Sequence, residues 1–261
     1  MQMMRLFGAI FSISLKRELT FRVNMIFEAL ITAIGTAAGL AALGIVYTRT
    51  ETLAGWNMAE AIVLLGTYGM VSGLMDVFVT PNLAFFATKV REGAFDDTLL
   101  LPAPSVLLAS LGTCRPWALT QVVVNAGVVV LGIVDLTSGV TPGGLMGYLI
   151  LLIVALVLAW GTRVLLATLA FLAPSLETEV MYGALQEFGR YPVGIYQQPL
   201  RFALTYMLPV AFIATIPAQA LTRRSNPLLL SCIGLALALG VIVVVQIVWQ
   251  AGLRRYTSAT S

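Results

Sequence analysis

The chain has 261 residues, of which 59% are hydrophobic and only 10% are charged, and its net charge is +3. Its mean hydropathy is +0.94, and soluble domains are only about 45–50% apolar, so we expect an integral membrane protein. The sequence contains no histidine, which excludes histidine-based nucleophile activation, histidine metal sites and histidine proton relays.

The first 20 residues predict a helix that lies on the membrane surface. Met4, Phe7, Phe11 and Leu15 recur at helical spacing, and a basic cluster follows that can meet lipid headgroups. The segment has no small-residue cleavage site, so we do not expect a signal peptide.

Six later segments are apolar over lengths of about 17–25 residues, as a membrane-spanning helix requires. They are continuously apolar rather than alternating, which favours helices over a barrel. We therefore predict an all-α polytopic membrane protein with a single domain over residues 1–261. The predicted spans are Val23–Val46, Met58–Val79, Pro116–Val134, Met146–Leu172, Phe202–Leu221 and Leu228–Gln250.

The distribution of lysine and arginine predicts the orientation. With the N-terminus inside, eleven basic residues fall in cytoplasmic segments, three fall in outside loops, and Arg163 falls within a span. We expect both termini in the cytoplasm and the chain in the plasma (inner) membrane. The pI near 9.0 then follows from the basic residues that flank the membrane spans. A nucleic-acid partner is not expected, because that would need the basic residues on one face of a soluble domain, and the sequence shows no such domain. The inside set is Arg5, Lys16, Arg17, Arg22, Lys89, Arg91, Arg115, Arg190, Arg201, Arg254 and Arg255, and the outside set is Arg49, Arg223 and Arg224.

Two cytoplasmic segments are predicted between the spans. In residues 82–104, five charged residues fall within nine positions, and Phe95 and Leu99 would share one helical face. Residues 174–201 carry three glutamates and an apolar pattern that predicts a second cytoplasmic helix.

Three ionisable residues lie within predicted spans, where a charge costs several kcal/mol. Glu28 comes early in the first span, and Asp76 and Arg163 come late in spans that run inward, so all three should lie near the cytoplasmic leaflet. One interpretation is a structural cluster in which Arg163 neutralises a carboxylate. The other is a polar vestibule that admits an amphipathic substrate, cationic substrates included.

Helix-packing signals occur in the first two spans. Gly35-x-x-x-Gly39 and Gly69-x-x-x-Gly73 let backbones approach closely, either within one subunit or across a dimer. Pro209 and Pro217 predict a bend or break in the fifth span.

The chain lacks the motif for binding ATP through a phosphate loop. Neither of its two lysines is part of a Gly-Lys-Ser/Thr sequence. If ATP drives the protein, another polypeptide must supply the ATPase. Cys114 and Cys232 are isolated, which argues against zinc or a disulfide framework.

Two motifs resemble a known family. Residues 91–104, REGAFDDTLLLPAP, are similar to the R-x-G-x-(F/L)-D-x-x-L-L-x-P stretch of permease subunits in type-2 ABC exporters. Residues 188–196, FGRYPVGIY, followed by residues 208–218, LPVAFIATIPA, resemble the R-Y-P-x-x-I-Y and P-x-A-F-x-x-x-x-P-A signature of a compact six-span branch. The resemblance covers most of the chain from about residue 56 onward, and Asp97 and Ala103 depart from the pattern.

The resemblance implies a non-catalytic permease that dimerises with an identical or related permease. It also implies two ATPase subunits that bind ATP and Mg, so that no cofactor belongs to this chain. In such exporters the stretch between spans two and three docks in a cleft of the ATPase. The implied docking residues are Arg91, Glu92, Phe95, Asp96 and Leu99, with the two apolar side chains as anchors.

Three alternatives remain from the residues alone. The segment at 82–104 could be a solvated loop, although three consecutive leucines argue against that. A secondary, ion-coupled transporter of small amphipathic compounds should show repeated halves, and no convincing repeat is visible. An intramembrane enzyme would need paired catalytic residues, which the sequence does not offer.

Overall fold

The computed structural model describes residues 14, 16, 22–101, 103–136, 139–173, 175–176, 178–208 and 210–260. Within these residues the chain is helical with no strand, which confirms the all-α prediction. The predicted surface helix over residues 1–20 lies outside the described residues apart from Ser14 and Lys16. The α-helices are α1 (Arg22–Tyr47), α2 (Met58–Phe78), α3 (Thr80–Leu83), α4 (Phe86–Arg91), α5 (Asp96–Leu99), α6 (Ser105–Leu111), α7 (Leu119–Val134), α8 (Pro142–Thr168), α9 (Thr178–Glu187), α10 (Leu200–Phe202), α11 (Thr215–Leu221) and α12 (Pro227–Thr260).

Five helical stretches are long and apolar enough to cross a membrane. They correspond to the predicted spans one, two, three, four and six, and the chain is a multi-pass membrane protein. In the described part of the chain these stretches are Ile26–Tyr47, Met58–Phe78, Pro116–Val134, Pro142–Phe171 and Pro227–Tyr256.

The predicted fifth span, residues 202–221, is not a continuous helix. It consists of α10, a π-helical turn at Ala203–Met207, a 3-10 turn at Val210–Phe212 and then α11. Leu208 has left the helical conformation, with φ −122° and ψ 84°, as a residue that precedes proline tends to do. Pro217 lies in the first turn of α11, where a backbone N–H has no helical acceptor to lose. The break expected here is therefore confirmed.

The helices α2 and α8 run parallel, which defines two ends of the bundle. The hydroxyl of Thr67 in α2 lies 3.1 Å from that of Tyr148, near the start of α8. Towards the last turns of the same helices, Arg163 of α8 interacts electrostatically with Asp76 of α2. The starts of α2 and α8 thus share one end of the bundle, and Asp76 and Arg163 lie towards the other.

The segment around α9 connects these two ends. Glu179 pairs with Arg163 where α8 finishes, Gly189 lies beside the ring of Tyr68, and Gly194 lies against Ala54 in the loop that precedes α2. The described residues of the predicted second cytoplasmic segment, residues 174–201, therefore contact both ends of the bundle. Its polar groups find partners along the bundle, since the Val193 amide also lies 3.4 Å from the hydroxyl of Thr215. A polar composition alone did not reveal these partners.

Glycines in α2 allow it to pack closely against α7. A Cβ at Gly69 would lie 2.1 Å from Cγ of Asn125, and one at Gly73 would lie 2.9 Å from Val122. The Gly69-x-x-x-Gly73 motif therefore packs within the chain. Gly35 of the first motif has no neighbour within 4 Å of such a Cβ, whereas one at Gly39 would meet the Arg190 side chain.

Candidate functional site

The segment at residues 82–104 folds as short helices, not as one docking helix. Between α4 and α5 the chain turns at Gly93, whose φ of +72° is a conformation that glycine adopts without strain. Asn82 fixes the base of the segment, because its side chain donates 2.8 Å to the Thr113 carbonyl and accepts from the Thr113 amide and hydroxyl, each at 2.8 Å.

Phe95 lies inside the protein with 1% of its surface exposed. Its ring centroid lies 5.2 Å from that of Phe86, 5.7 Å from Phe171, 6.0 Å from Trp249 and 5.8 Å from Tyr256. We call these five residues the aromatic cluster. In this arrangement Phe95 does not reach a partner protein, so the structure does not place it as the external anchor that the sequence suggested.

The aromatic cluster joins the segment to two long helices. Trp249 and Tyr256 belong to α12, and Phe171 follows α8. Two hydrogen bonds reinforce the contact: the Trp249 indole donates 3.0 Å to Ser105, and the Tyr256 hydroxyl donates 2.9 Å to Asp96. Aromatic pairs at these separations contribute about 0.5–1.5 kcal/mol each beyond the burial of their area.

The other predicted docking residues lie closer to the surface. Arg91, Glu92 and Asp96 are exposed, and Leu99 is half-buried against the core. The most exposed large apolar side chains of the segment are those of Leu100 at 84%, Phe85 at 68% and Leu101 at 53%. The sequence predicts Phe95 and Leu99 as apolar anchors, and in the structure both pack against the core.

The three ionisable residues predicted within the spans do not pair with one another. Glu28 forms an ion pair with Arg115, and the Thr80 hydroxyl donates 2.8 Å to Asp76. Arg163 is 3% exposed and pairs at 2.5 Å with Glu179, a residue in the predicted second cytoplasmic helix.

These groups nevertheless share one end of the bundle. The Arg115 amide donates to the Val77 carbonyl in the last turns of α2, and Arg115 and Arg163 both interact electrostatically with Asp76. The Arg163 guanidinium also lies 4.3 Å from the ring centroid of Tyr182, a cation–π contact.

A polar network at the opposite end was missed by the sequence analysis. Arg224 donates to both carboxylate oxygens of Glu60, at 2.8 and 2.6 Å, and its guanidinium lies 4.8 Å from the ring centroid of Trp56. Asn57 and Glu60 cap α2 reciprocally. The Asn-x-x-Glu spacing is a recognisable capping signal, but the arginine partner lies 164 residues away in sequence.

A comparison with protein families decides the identity of the chain. The model described as "ABC-2 family transporter protein" matches residues 33–260. The chain belongs to the ABC-2 transporter family. No curated protein and no solved structure matches it.

The family match confirms the resemblance to type-2 ABC permeases. This ABC-2 permease is a membrane component of an ABC transporter, a class of transport component that is generally non-catalytic and that works with ABC ATPase components. Residues 82–104 and the two polar networks described above all lie within the matched residues, except for Glu28.

Proposed function

We propose that this ABC-2 permease forms the substrate pathway of an ATP-driven exporter and docks two ATPase subunits at the cytoplasmic face. A second permease, identical or related, completes the complex, and the ATPase chains bind ATP and Mg. Family membership supports this proposal, and the absence of a Gly-Lys-Ser/Thr sequence agrees with an ATPase on separate chains.

The observation that carries the docking proposal is a surface of exposed apolar and charged side chains on residues 82–104, a segment that the aromatic cluster anchors to α8 and α12. We define the docking surface as Arg91, Glu92, Asp97, Leu100 and Leu101, all of them exposed. Two leucines can enter an apolar cleft, and the charged side chains can meet residues at its rim. Beneath this surface, the aromatic cluster holds the segment against α8 and α12.

In the proposed topology the chain lies in the plasma (inner) membrane, and both of its termini are in the cytoplasm. Residues 178–221 would supply the fifth crossing in broken pieces, which restores six crossings. Irregular backbone is tolerated at membrane depth where it is buried in protein, and Val193, Leu204, Val210 and Ala211 are all buried. Glu28, Asp76 and Arg163 would then border the cytoplasmic entrance of the pathway.

The mechanism that follows is alternating access. ATP binding closes the ATPase pair, and the docked segments move with it. Through the aromatic cluster, this movement reaches α8 and α12, and the paired permeases change from an inward-open to an outward-open arrangement. The permease contributes the pathway and its positioning contacts.

The docking surface is tested by Leu100→Asp. We expect the ATPase, identified by mass spectrometry through its phosphate-loop sequence, to be lost from the complex purified from native membranes. The matched control is Leu176→Asp, which places a charge at another exposed leucine outside the docking surface and should retain the ATPase. The proposal fails if no ATPase accompanies the unmodified permease and transport into vesicles continues without ATP.

A further inference from the structure

A cavity of about 250 Å³ lies between α1, α2 and α7. It is distinct from the docking segment and from the ion pairs at either end of the bundle. Its wall is mixed, with Ile31 and Leu65 among the apolar members. The polar side chains that line it are Thr32, Thr36, Tyr68, Gln121, Asn125 and Arg190.

The cavity lies within the depth of the apolar helices. Thr32 and Thr36 come from the middle of α1, and Tyr68 comes from the middle of α2. Polar and ionisable side chains at such depth are costly, and they mark the pathways of substrates and ions in membrane proteins. A cavity lined by six polar residues therefore needs a functional reason.

Arg190 supplies the only formal charge among the lining residues. The sequence analysis counted it as cytoplasmic, but the structure places its guanidinium beside Gly39, where a Cβ would lie 3.2 Å from Nη2. The glycine thus leaves the space through which the guanidinium passes between α1 and α2. A carboxylate from Glu187 lies 3.8 Å away, beyond hydrogen-bond distance, and its side chain is 67% exposed.

The donors around the cavity suit an anion. A guanidinium presents several N–H groups in a planar fork that matches phosphate, sulfate and carboxylate oxygens. The hydroxyls of Thr32 and Thr36 and the amide of Gln121 can donate beside it. No carboxylate lines the cavity among the described residues; the Glu187 carboxylate pairs with Arg190 from an exposed position outside the lining, so an anion in the cavity would compete with it for the guanidinium.

The volume of the cavity fits the headgroup of an amphipathic molecule and a short part of its alkyl chain. It equals the liquid volume of about eight water molecules, which is too small for a complete lipid. Ile31 at the cavity edge is 68% exposed, as is Ile34 at 67%, so a longer chain can continue along the outer face of α1.

We propose that this cavity binds the anionic headgroup of an amphipathic molecule, with Arg190 as the residue that recognises the charge. The inference rests on the proposed function, because it names the substrate class of the same permease. It differs from the cationic preference that Glu28 and Asp76 suggested in sequence, since those carboxylates lie elsewhere and face arginines.

The test is calorimetric titration of octyl phosphate into the purified transporter in phosphatidylcholine nanodiscs, with empty nanodiscs as the blank. We expect Arg190→Gln to weaken binding at least tenfold, and Arg190→Lys to weaken it less. Arg201→Gln is the matched control: it removes an exposed arginine from the same segment, outside the cavity, and should bind like the unmodified protein. Thr36→Val, which keeps the shape of the side chain, should weaken binding severalfold and provides a second test that leaves Arg190 intact.

Two further arms identify the source of the anion. Loss of octyl phosphate binding in nanodiscs that contain phosphatidylglycerol would indicate a bilayer lipid as the occupant, and retained binding would indicate a free amphiphile. Both results agree with an anionic ligand. Equal binding to the unmodified protein and to Arg190→Gln, or displacement of octyl phosphate by octyltrimethylammonium, would overturn the proposal. Retention of the ATPase is measured on the same samples, so failure of this inference is separate from failure of the exporter proposal.

Discussion

Phe95→Ala tests whether the aromatic cluster has a structural role or forms the interface with the ATPase. Truncation of a buried phenylalanine typically costs about 3–5 kcal/mol, and Phe95 contacts four other rings. For a protein of this size each kcal/mol corresponds to about 2–4 °C of thermal stability, so we expect the midpoint of unfolding to fall by roughly 10 °C. The measurement is thermal unfolding of the purified complex in nanodiscs.

The matched variant is Leu100→Ala at the exposed position. A surface substitution changes stability by about 0.5 kcal/mol or less, so its unfolding midpoint should shift by no more than about 2 °C. At a temperature where both variants are folded, we expect Leu100→Ala to release the ATPase subunit. Phe95→Ala should retain the ATPase but show weaker stimulation of ATP hydrolysis by substrate. The opposite pattern, in which Phe95→Ala releases the ATPase without loss of stability, would refute the assignment of Phe95 to the interior.

Two other predictions follow from the packing and from the polar network opposite the docking segment. Gly69→Ala should destabilise the permease by about 1–3 kcal/mol, because its Cβ would overlap Asn125; Gly35→Ala, with open space around it, should change stability by less than 1 kcal/mol, and thermal unfolding distinguishes the two. Glu60→Gln should cost about 1–2 kcal/mol, since Arg224 loses a charged hydrogen-bond acceptor. A cycle with Arg224→Gln should give non-additive changes, and simple additivity would contradict a direct interaction.

The long apolar helices could be predicted from sequence because each gives its own local signal. Continuous apolarity over the length of a bilayer identifies α1, α2, α7, α8 and α12 without knowledge of their neighbours. The fifth predicted span is not a continuous helix, and apolarity could not show this because it does not report continuity of the backbone. The helix predicted within residues 174–201 corresponds to α9, but its contact with α8 could not be predicted, because the partner of Glu179 lies in another helix and composition cannot show that pairing.

In the candidate site, too, the local sequence signals were predictive and the contacts with distant parts of the chain were not. The charge density near Lys89 predicted a segment outside the apolar spans, and the acidic and basic residues there are exposed. The i,i+4 spacing of Phe95 and Leu99 predicts a shared helical face, and both residues do lie on one side of the helical stretch that follows Gly93. That side packs against the core, with Phe95 buried and Leu99 half-buried, while Leu100 remains exposed.

The arrangement of contacts suggests how docking and substrate binding can be coupled. In the proposed mechanism, movement of the docking surface is transmitted through the aromatic cluster to α8 and α12, since rings from both regions pack together. Within the chain the apolar side chains of α1 are largely exposed, from Ile26 to Val46, whereas the backbones of α2 and α7 meet at glycines. The cavity around Arg190 lies where α1 meets that closely packed pair. We therefore expect its width to change through displacement of α1 and of the segment that carries Arg190, while the close packing of α2 on α7 persists through the transport cycle.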